Sequence, residues 1–293
     1  MTLAYHRPRD AAEALALLAA TEGRGSDRPS AMRLPLAGGT QLNSAESRNL
    51  DFEAVDLSAL LPRGVSRSEG GIAIGAGTSF QELVDSPETP SALRAAAAGM
   101  RDRNIRNRAT IGGNLGADKA CSSLVPVLLA FDADLLLLDG RRLSLEKWLD
   151  LPPGPAGRNV ITSLNIAIDN KIRVAYARWS RVAADLAILG AAAAYRIEGD
   201  RIRGLRLVLG GVSAHARRHG TLEAAFEGSP LPPRADIEAL VSGLDGHGRP
   251  FVSPRDDARG SAVFKRSRIS SLVAEVLLGA LAADGTQSTE ARR

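Results

Sequence analysis

The chain has 293 residues, of which 44% are hydrophobic, 24% charged and 4% aromatic, and its formal net charge is +4. This length suits two or three compact modules, and the apolar fraction is enough for a buried core, which excludes a disordered chain. No apolar run is long enough to predict a membrane span or a cleaved secretion signal. The single cysteine, Cys121, excludes an internal disulfide and a four-cysteine metal cluster.

Arginine dominates the basic residues, since 33 of the 37 are Arg and four are Lys. Two interpretations are open: a compositional bias of the whole sequence, or a basic surface for nucleic acid. Acidic residues are interleaved along the chain and aromatic residues are few, whereas nucleic-acid surfaces need clustered charge and stacking platforms. The compositional bias is therefore favoured, and no nucleic-acid partner is predicted.

The first part of the chain, 1–55, predicts a small α/β unit. Its elements are a helix over 10–20 with Asp10 as N-cap, a loop over 23–30, and strands over 32–37 and 54–57. The first of these strands ends abruptly at Gly38-Gly39-Thr40. A glycine turn therefore follows directly on a strand end.

The middle part predicts strands and helices separated by glycine-rich turns. The strands cover 71–79 and 134–139, the helices start at 80–84 and cover 91–99 and 124–131, and a second glycine turn covers 109–115. Pro126 is tolerable only in the first turn of its helix. Residues 101–108 show no clear period, and the Pro- and Gly-rich stretch 151–157 predicts a border between modules.

The last part predicts an antiparallel sheet covered by helices. The strands cover 173–178 and 205–212, a hairpin over 195–203 turns at Gly199-Asp200, helices cover 221–226, 235–244 and 270–283, and a frayed tail covers 284–293. His215 and His219 are four residues apart in this part, but they follow a strand instead of lying on a helix. No metal site is therefore predicted.

Two glycine segments carry the candidate chemistry. Glycines tolerate positive φ and let successive backbone N–H groups face one concavity, which binds phosphate without a lysine. The first segment is Leu36-Ala-Gly-Gly-Thr-Gln-Leu-Asn43 and the second is Thr110-Ile-Gly-Gly-Asn114. An ordinary tight turn is the commoner interpretation of either segment alone, but the two together favour a clamp for a pyrophosphate.

A third glycine pair does not fit a dinucleotide-binding fold. Gly75-Ala-Gly77 lacks the third glycine of that fingerprint, because Phe80 stands at its position. These two glycines are predicted to allow close packing at a strand end.

Several segments together resemble one protein family. They are Leu36-Ala-Gly-Gly-Thr40, Ile74-Gly-Ala-Gly-Thr78 and Ile105-Arg-Asn-Arg-Ala-Thr-Ile-Gly-Gly-Asn-Leu115. They are similar to the FAD-binding (medium) subunits of molybdenum hydroxylases, which include the flavoprotein subunit of carbon monoxide dehydrogenase and the FAD domain of xanthine dehydrogenase. Tyr176–Arg181 and Leu209–Ser213 resemble that family's C-terminal domain, so the resemblance covers nearly the whole chain.

The resemblance implies an α+β fold in three parts. A two-part FAD-binding unit of the vanillyl-alcohol-oxidase type would occupy 1–55 and 56–172. An α+β C-terminal domain, an antiparallel sheet with helices, would occupy 173–293.

The resemblance also implies an oxidoreductase role. Electrons would pass from [2Fe–2S] clusters on a partner to FAD on this chain, and then to an external acceptor. The implied partners are an iron–sulfur subunit and a large molybdopterin-binding subunit, and the complex would be cytoplasmic. No catalytic residue is expected in this chain, because the protein positions the cofactor and tunes it.

The resemblance assigns the FAD contacts residue by residue. In the first segment they fall on Ala37, Gly38, Gly39, Thr40, Gln41, Leu42 and Asn43, and in the second on Thr110, Ile111, Gly112, Gly113 and Asn114.

Several positions depart from the family: Gln41 replaces a frequent Asp, the loop at 100–104 and the stretch 116–123 differ, and one departure falls on a sugar contact. Where the family often has an Asp that holds a sugar hydroxyl of FAD, this chain has Ser123. A serine still forms a hydrogen bond, without the gain of a charged acceptor. Asp118 could replace that carboxylate only in a rearranged loop, and Ser123 could instead cap the helix that follows it. The departure motivates an alternative function, a structural or assembly subunit with a weakened flavin site.

Overall fold

The computed structural model describes residues 2–19, 32–47, 49–100, 102–153, 157–182, 185–244 and 251–282. The predicted loop over 23–30 and the predicted tail over 284–293 lie outside these residues. Three β-sheets with flanking helices form the described part of the chain. Each sheet is built from one stretch of the sequence, so the three stretches are described in turn.

The first sheet is parallel, with the strand order β1-β3-β2. Its strands are β1 (Thr2–His6), β2 (Met32–Leu36) and β3 (Phe52–Asp56), and helix α1 (Ala11–Ala19) connects the first two. The Asp10 carboxylate accepts a hydrogen bond from the Glu13 N–H at 2.9 Å, which confirms the predicted N-cap. A 3-10 turn, Ala45–Ser47, follows the loop after β2.

The second sheet is antiparallel, with the strand order β4-β5-β8-β6-β7. Its strands are β4 (Val65–Ser68), β5 (Gly71–Gly75), β6 (Asp134–Leu137), β7 (Arg142–Ser144) and β8 (Ile161–Ala167). Its helices are α2 (Phe80–Asp85), α3 (Ser91–Ala98), α4 (Arg103–Arg108), α5 (Ile111–Ala117), α6 (Leu124–Ala130) and α7 (Leu145–Asp150). Pro126 lies in the first turn of α6, as predicted.

The third sheet is antiparallel, with the strand order β12-β11-β10-β9. Its strands are β9 (Arg173–Trp179), β10 (Leu189–Glu198), β11 (Arg201–Gly210) and β12 (Arg217–Arg218). Its helices are α8 (Gly220–Phe226), α9 (Arg234–Gly243) and α10 (Ala262–Ala282). Glu198 pairs with Arg201, so the hairpin turns at Gly199-Asp200 as predicted.

Helix α6 joins the second and third sheets. Its seven residues are buried and it packs against β10 and β11. One hydrophobic core therefore runs from β5 and α3 through α6 into one face of the third sheet. A second core fills the space between the other face of that sheet and α8, α9 and α10. The α+β class of the fold, with its antiparallel C-terminal sheet, is confirmed.

The borders between the three parts stay a prediction. Strand β3 crosses the predicted border at residue 55, and β9 begins at the predicted border at residue 173. Among the described residues, no helix combines the length and the apolarity needed to cross a bilayer.

Candidate functional site

A cavity of about 810 Å³ lies where the three sheets approach one another. Residues of β2, such as Leu36, form one wall, and Thr110 and Gly112 at the start of α5 form another. Arg178 of β9 lines the cavity from the third sheet. This volume lies within the range of small-molecule and cofactor pockets, about 300–1,000 Å³.

The first glycine segment forms a turn at the end of β2 and faces this cavity. Six of its seven predicted residues, 37–42, line the cavity, and Asn43 does not. Gly39 has φ of +74°, which a residue with a side chain adopts only with strain. The Asn43 N–H donates to the Gly39 carbonyl at 3.0 Å and so closes the turn.

The backbone N–H groups in the middle of this turn are unpaired. Within the described part of the chain, none of the five N–H groups of residues 38–42 donates a hydrogen bond. Unpaired backbone N–H groups beside a cavity are costly unless water or a ligand satisfies them. A row of such donors suits an anion, and a pyrophosphate fits this chemistry.

The second glycine segment is different. The sequence predicts a glycine turn here, and that prediction is wrong, because the segment is the first turn of α5. Thr110 is the N-cap, and its hydroxyl accepts a hydrogen bond from the Gly113 N–H at 3.1 Å. Three further backbone N–H groups are also occupied: Ile111 donates to the Thr78 carbonyl, Gly112 to the Ala76 carbonyl and Asn114 to the Thr110 carbonyl, each at 2.9 Å.

The glycines of the second segment therefore allow close packing instead of supplying donors. A Cβ at Gly112 would lie 2.8 Å from the Cβ of Ala76 and 2.9 Å from its carbonyl oxygen. Thr110, Gly112, Gly113 and Asn114 line the cavity, whereas Ile111 is fully buried in the core. Gly112 and Gly113 therefore contribute to the shape of the wall, and their own N–H groups are already used within the protein.

The loop between α5 and α6 brings two serines to the cavity. The Ser122 hydroxyl donates to the Asn114 side-chain oxygen at 2.6 Å and accepts from the Val125 N–H at 3.3 Å. Ser123 lines the cavity, is 6% exposed, and makes no side-chain capping bond to α6. The capping interpretation of Ser123 is therefore wrong, because Ser122 takes that bond and the Ser123 hydroxyl stays available to a ligand.

Asp118 does not take the place of the absent carboxylate. Its Oδ2 accepts from Arg158 Nη1 at 2.5 Å and lies 3.3 Å from His215 Nδ1, and the residue does not line the cavity. Gly75 and Gly77 pack at a strand end as predicted, since a Cβ at Gly75 would lie 2.3 Å from the Pro62 carbonyl oxygen.

An ion-pair network at the cavity was not predicted from the sequence. Glu46 bonds Lys119 and lies 3.6 Å from an Arg259 nitrogen, so it links segments associated with all three sheets. The hydrogen bond from Lys119 lowers the pKa of the Glu46 carboxyl. Burial raises the pKa of the Cys121 thiol, which also lines the cavity, so the thiol is held protonated.

The charged and aromatic wall residues were also missed. Arg158, Arg178 and Trp148 line the cavity, and the Arg158 guanidinium lies 4.9 Å from the centre of the Trp148 ring. No local pattern marks these residues, because they come from separate elements that only the fold brings together. Among the described residues, no group of three His, Cys, Asp or Glu side chains could hold a metal ion.

These features fit a bound dinucleotide. The free N–H groups of residues 38–42 suit its pyrophosphate, and the free Ser123 hydroxyl suits a sugar. Apolar side chains, such as Leu34, Leu36 and Met100, suit its ring systems.

Comparison with known families agrees with this geometry. The model described as FAD binding domain in molybdopterin dehydrogenase matches residues 1–166. The model described as CO dehydrogenase flavoprotein C-terminal domain matches residues 174–280. The two matches lie on either side of the start of β9.

Several individual proteins are similar to this chain over most of their length. The uncharacterized protein YgfM of Escherichia coli (strain K12) is 34% identical over 241 residues, which cover 82% of this chain and 85% of YgfM. The putative xanthine dehydrogenase FAD-binding subunit XdhB of the same strain is 29% identical, with 96% and 97% covered. A structure of carbon monoxide dehydrogenase from Hydrogenophaga pseudoflava has a TM-score of 0.81 at 25% identity, with 96% of this chain and 98% of that chain covered.

The first family match spans more than half of the chain and contains both glycine segments and Ser123. The chain therefore belongs to the FAD-binding subunits of the molybdopterin dehydrogenase family, and FAD is its cofactor.

Proposed function

We propose that this chain is the electron-transferring FAD subunit of a molybdopterin-dependent hydroxylase or dehydrogenase. It would receive electrons from [2Fe–2S] clusters on a partner subunit and pass them to an external acceptor. The observation that carries the proposal is the cavity with its row of five unpaired N–H groups at residues 38–42. When bound, FAD supplies a centre that accepts electrons singly and can release two together.

The residues of this chain would hold and orient the cofactor. The N–H groups of residues 38–42 would bind the pyrophosphate, and Ser123 would bond a sugar hydroxyl. Thr110, Gly112, Gly113 and Asn114 would shape the opposite wall, with the Asn114 amide nitrogen as a further donor. The free thiol Cys121 is the chain's single cysteine, so any iron–sulfur cluster must come from another subunit.

The proposed partners are an iron–sulfur subunit and a large molybdopterin-binding subunit, assembled in the cytoplasm. Similar proteins carry names of this kind, such as the carbon monoxide dehydrogenase medium chain of Hydrogenophaga pseudoflava, 26% identical over 314 residues. The glyceraldehyde dehydrogenase medium chain of Sulfolobus acidocaldarius is also 26% identical, over 279 residues. These names support a place in a multi-subunit enzyme.

The absorption spectrum of the purified full chain tests the proposal. We expect the bands of oxidised flavin at about one flavin per chain, either as isolated or after FAD is added. We also expect iron to co-elute with the chain from its native source. A colourless chain that does not bind added FAD would instead favour the structural or assembly role. A flavin-loaded chain that co-purifies with no iron-containing partner would contradict the proposed electron transfer from a partner's clusters.

A further inference from the structure

Arg108 lies directly against the first glycine segment, although seventy positions separate it from Gly38. It is the last residue of α4. A Cβ at Gly38 would lie 1.8 Å from the Arg108 carbonyl oxygen, so the two backbones touch. In addition, Arg108 Nε donates a long hydrogen bond to the Gly38 carbonyl oxygen at 3.5 Å.

This long hydrogen bond, together with the close approach of the two backbones, favours one direction for a neighbouring donor. In a trans peptide the carbonyl oxygen and the N–H of the next residue point in opposite directions. A donor on the Gly38 carbonyl therefore keeps the Gly39 N–H pointing away from Arg108. The Gly39 N–H belongs to the row of unpaired donors beside the cavity.

The charge of Arg108 is not neutralised by a neighbour. The residue is exposed, and within the described ranges its side chain bonds the Gly38 carbonyl oxygen and forms no ion pair with a carboxylate. Arg106, on the same helix, is used differently, since its Nε donates to the Gln81 side-chain oxygen at 2.9 Å. Arg103 is exposed at the other end of α4 and makes no hydrogen bond from its side chain to the described part of the chain.

We propose that Arg108 is a positioning residue for the pyrophosphate of FAD: it holds the Gly38–Gly39 peptide so that the Gly39 N–H faces the phosphates, and it places an uncompensated positive charge on the carbonyl side of that peptide. The inference rests on the proposed placement of the pyrophosphate at residues 38–42. It gives a role to the Ile105-Arg-Asn-Arg108 part of the motif, in which Arg106 supports the fold and Arg108 serves the cofactor.

Titration of the apoprotein with FAD at low and high salt tests this role in four full-length proteins: wild type, Arg108→Gln, Arg108→Lys and Arg103→Gln. Arg103→Gln removes the same charge from the same helix without touching the glycine segment. We expect Arg108→Gln to raise the Kd for FAD about tenfold at low salt, as for the loss of one charge-assisted bond. The difference should shrink at high salt, because salt screens an exposed charge.

The other variants separate the outcomes. Arg108→Lys keeps the charge and should recover most of the affinity, and Arg103→Gln should bind like wild type. The inference is overturned if Arg108→Gln binds like Arg103→Gln, or if its loss of affinity is independent of salt and is not recovered by lysine, which would indicate a structural defect. If wild type binds no FAD, the proposed function fails instead, so the two failures are distinguishable.

Discussion

At the residue scale, Ser123 is the proposed contact to a sugar hydroxyl of FAD. Its hydroxyl is buried, faces the cavity and is not used by helix α6. We expect Ser123→Asp to lower the Kd for FAD about twofold, because hydrogen bonds to charged groups contribute about 1.5–3 kcal/mol against about 1 kcal/mol for neutral pairs. The desolvation of a carboxylate in the cavity keeps the gain at the low end of that range.

Fluorescence titration of FAD with both proteins, at one salt concentration, measures this gain. Ser123→Ala is the control, and we expect it to bind somewhat more weakly than wild type. Equal dissociation constants for the Ser and Asp proteins would show that this side chain does not contact the cofactor.

The sequence predicts the residues of the site better than their roles. The run at 36–42 lines the cavity, as the strand followed by two glycines indicates, whereas Asn43 does not. The role of Gly112 could not be predicted, because its backbone N–H donates to the Ala76 carbonyl oxygen. Only the fold brings Ala76 beside Gly112. Arg158 and Arg178 could not be predicted either, since each follows from the assembly of separate elements.

At the scale of elements, the turn after β2 depends on the conformation of Gly39. With φ of +74°, an alanine there is strained by about 1–2 kcal/mol and should relax by turning the peptides on either side. We expect Gly39→Ala to raise the Kd for FAD at least tenfold, because the row of N–H donors no longer faces one point. FAD titration measures the affinity, and urea unfolding measures the stability.

Gly140→Ala is the matched control for the backbone strain. Gly140 has φ of +84° and nothing within 4 Å of an added Cβ. It lies in the turn between β6 and β7, away from the cavity. Gly39→Ala should lose at least as much stability as Gly140→Ala, because its added Cβ also lies 3.1 Å from Asn43 Nδ2, and only Gly39→Ala should lose affinity for FAD. If Gly39→Ala binds FAD like wild type, this turn does not contribute to cofactor binding.

The short helices α4 and α5 show where prediction of the elements failed. Each has six or seven residues, too few to give a clear period. A signal was nevertheless present at their N-caps. Asp102 accepts from the Ile105 N–H at 2.9 Å, and Thr110 accepts from the Gly113 N–H. An Asp or Thr at such a position is typical of a helix N-cap, so Asp102 and Thr110 indicate where the two helices begin.

At the scale of the whole molecule, strand β8 was missed although it is central to the second sheet. It pairs with β5 on one side and β6 on the other. Its sequence, Ile-Thr-Ser-Leu-Asn-Ile-Ala, alternates poorly, so its identity follows from its neighbours and not from its own pattern. The antiparallel third sheet was easier to predict, because alternating strand patterns begin at Arg173, where β9 starts.

Asp118 connects segments from different parts of the molecule. It follows α5 and has φ of +40°, in the left-handed region. Arg158, which is 6% exposed in its side chain, comes from the loop before β8, and His215 comes from the loop after β11. Arg158 Nε also donates to the Leu151 carbonyl at 2.9 Å. The Asp118 charge therefore stabilises a buried guanidinium at the junction of the second and third sheets.

Replacing Asp118 by Asn should destabilise the whole chain. Asn tolerates the left-handed conformation, so Asp118→Asn removes the charge and keeps the backbone. Arg158 would be left buried without a carboxylate, and losing one partner of a buried ion pair costs about 3 kcal/mol. Urea unfolding of the apoprotein at pH 7 measures the loss. Asp132→Asn is the control, because Asp132 has φ of +57° and is exposed. Equal stabilities for the two variants would show that the Asp118–Arg158 pair does not hold the parts together.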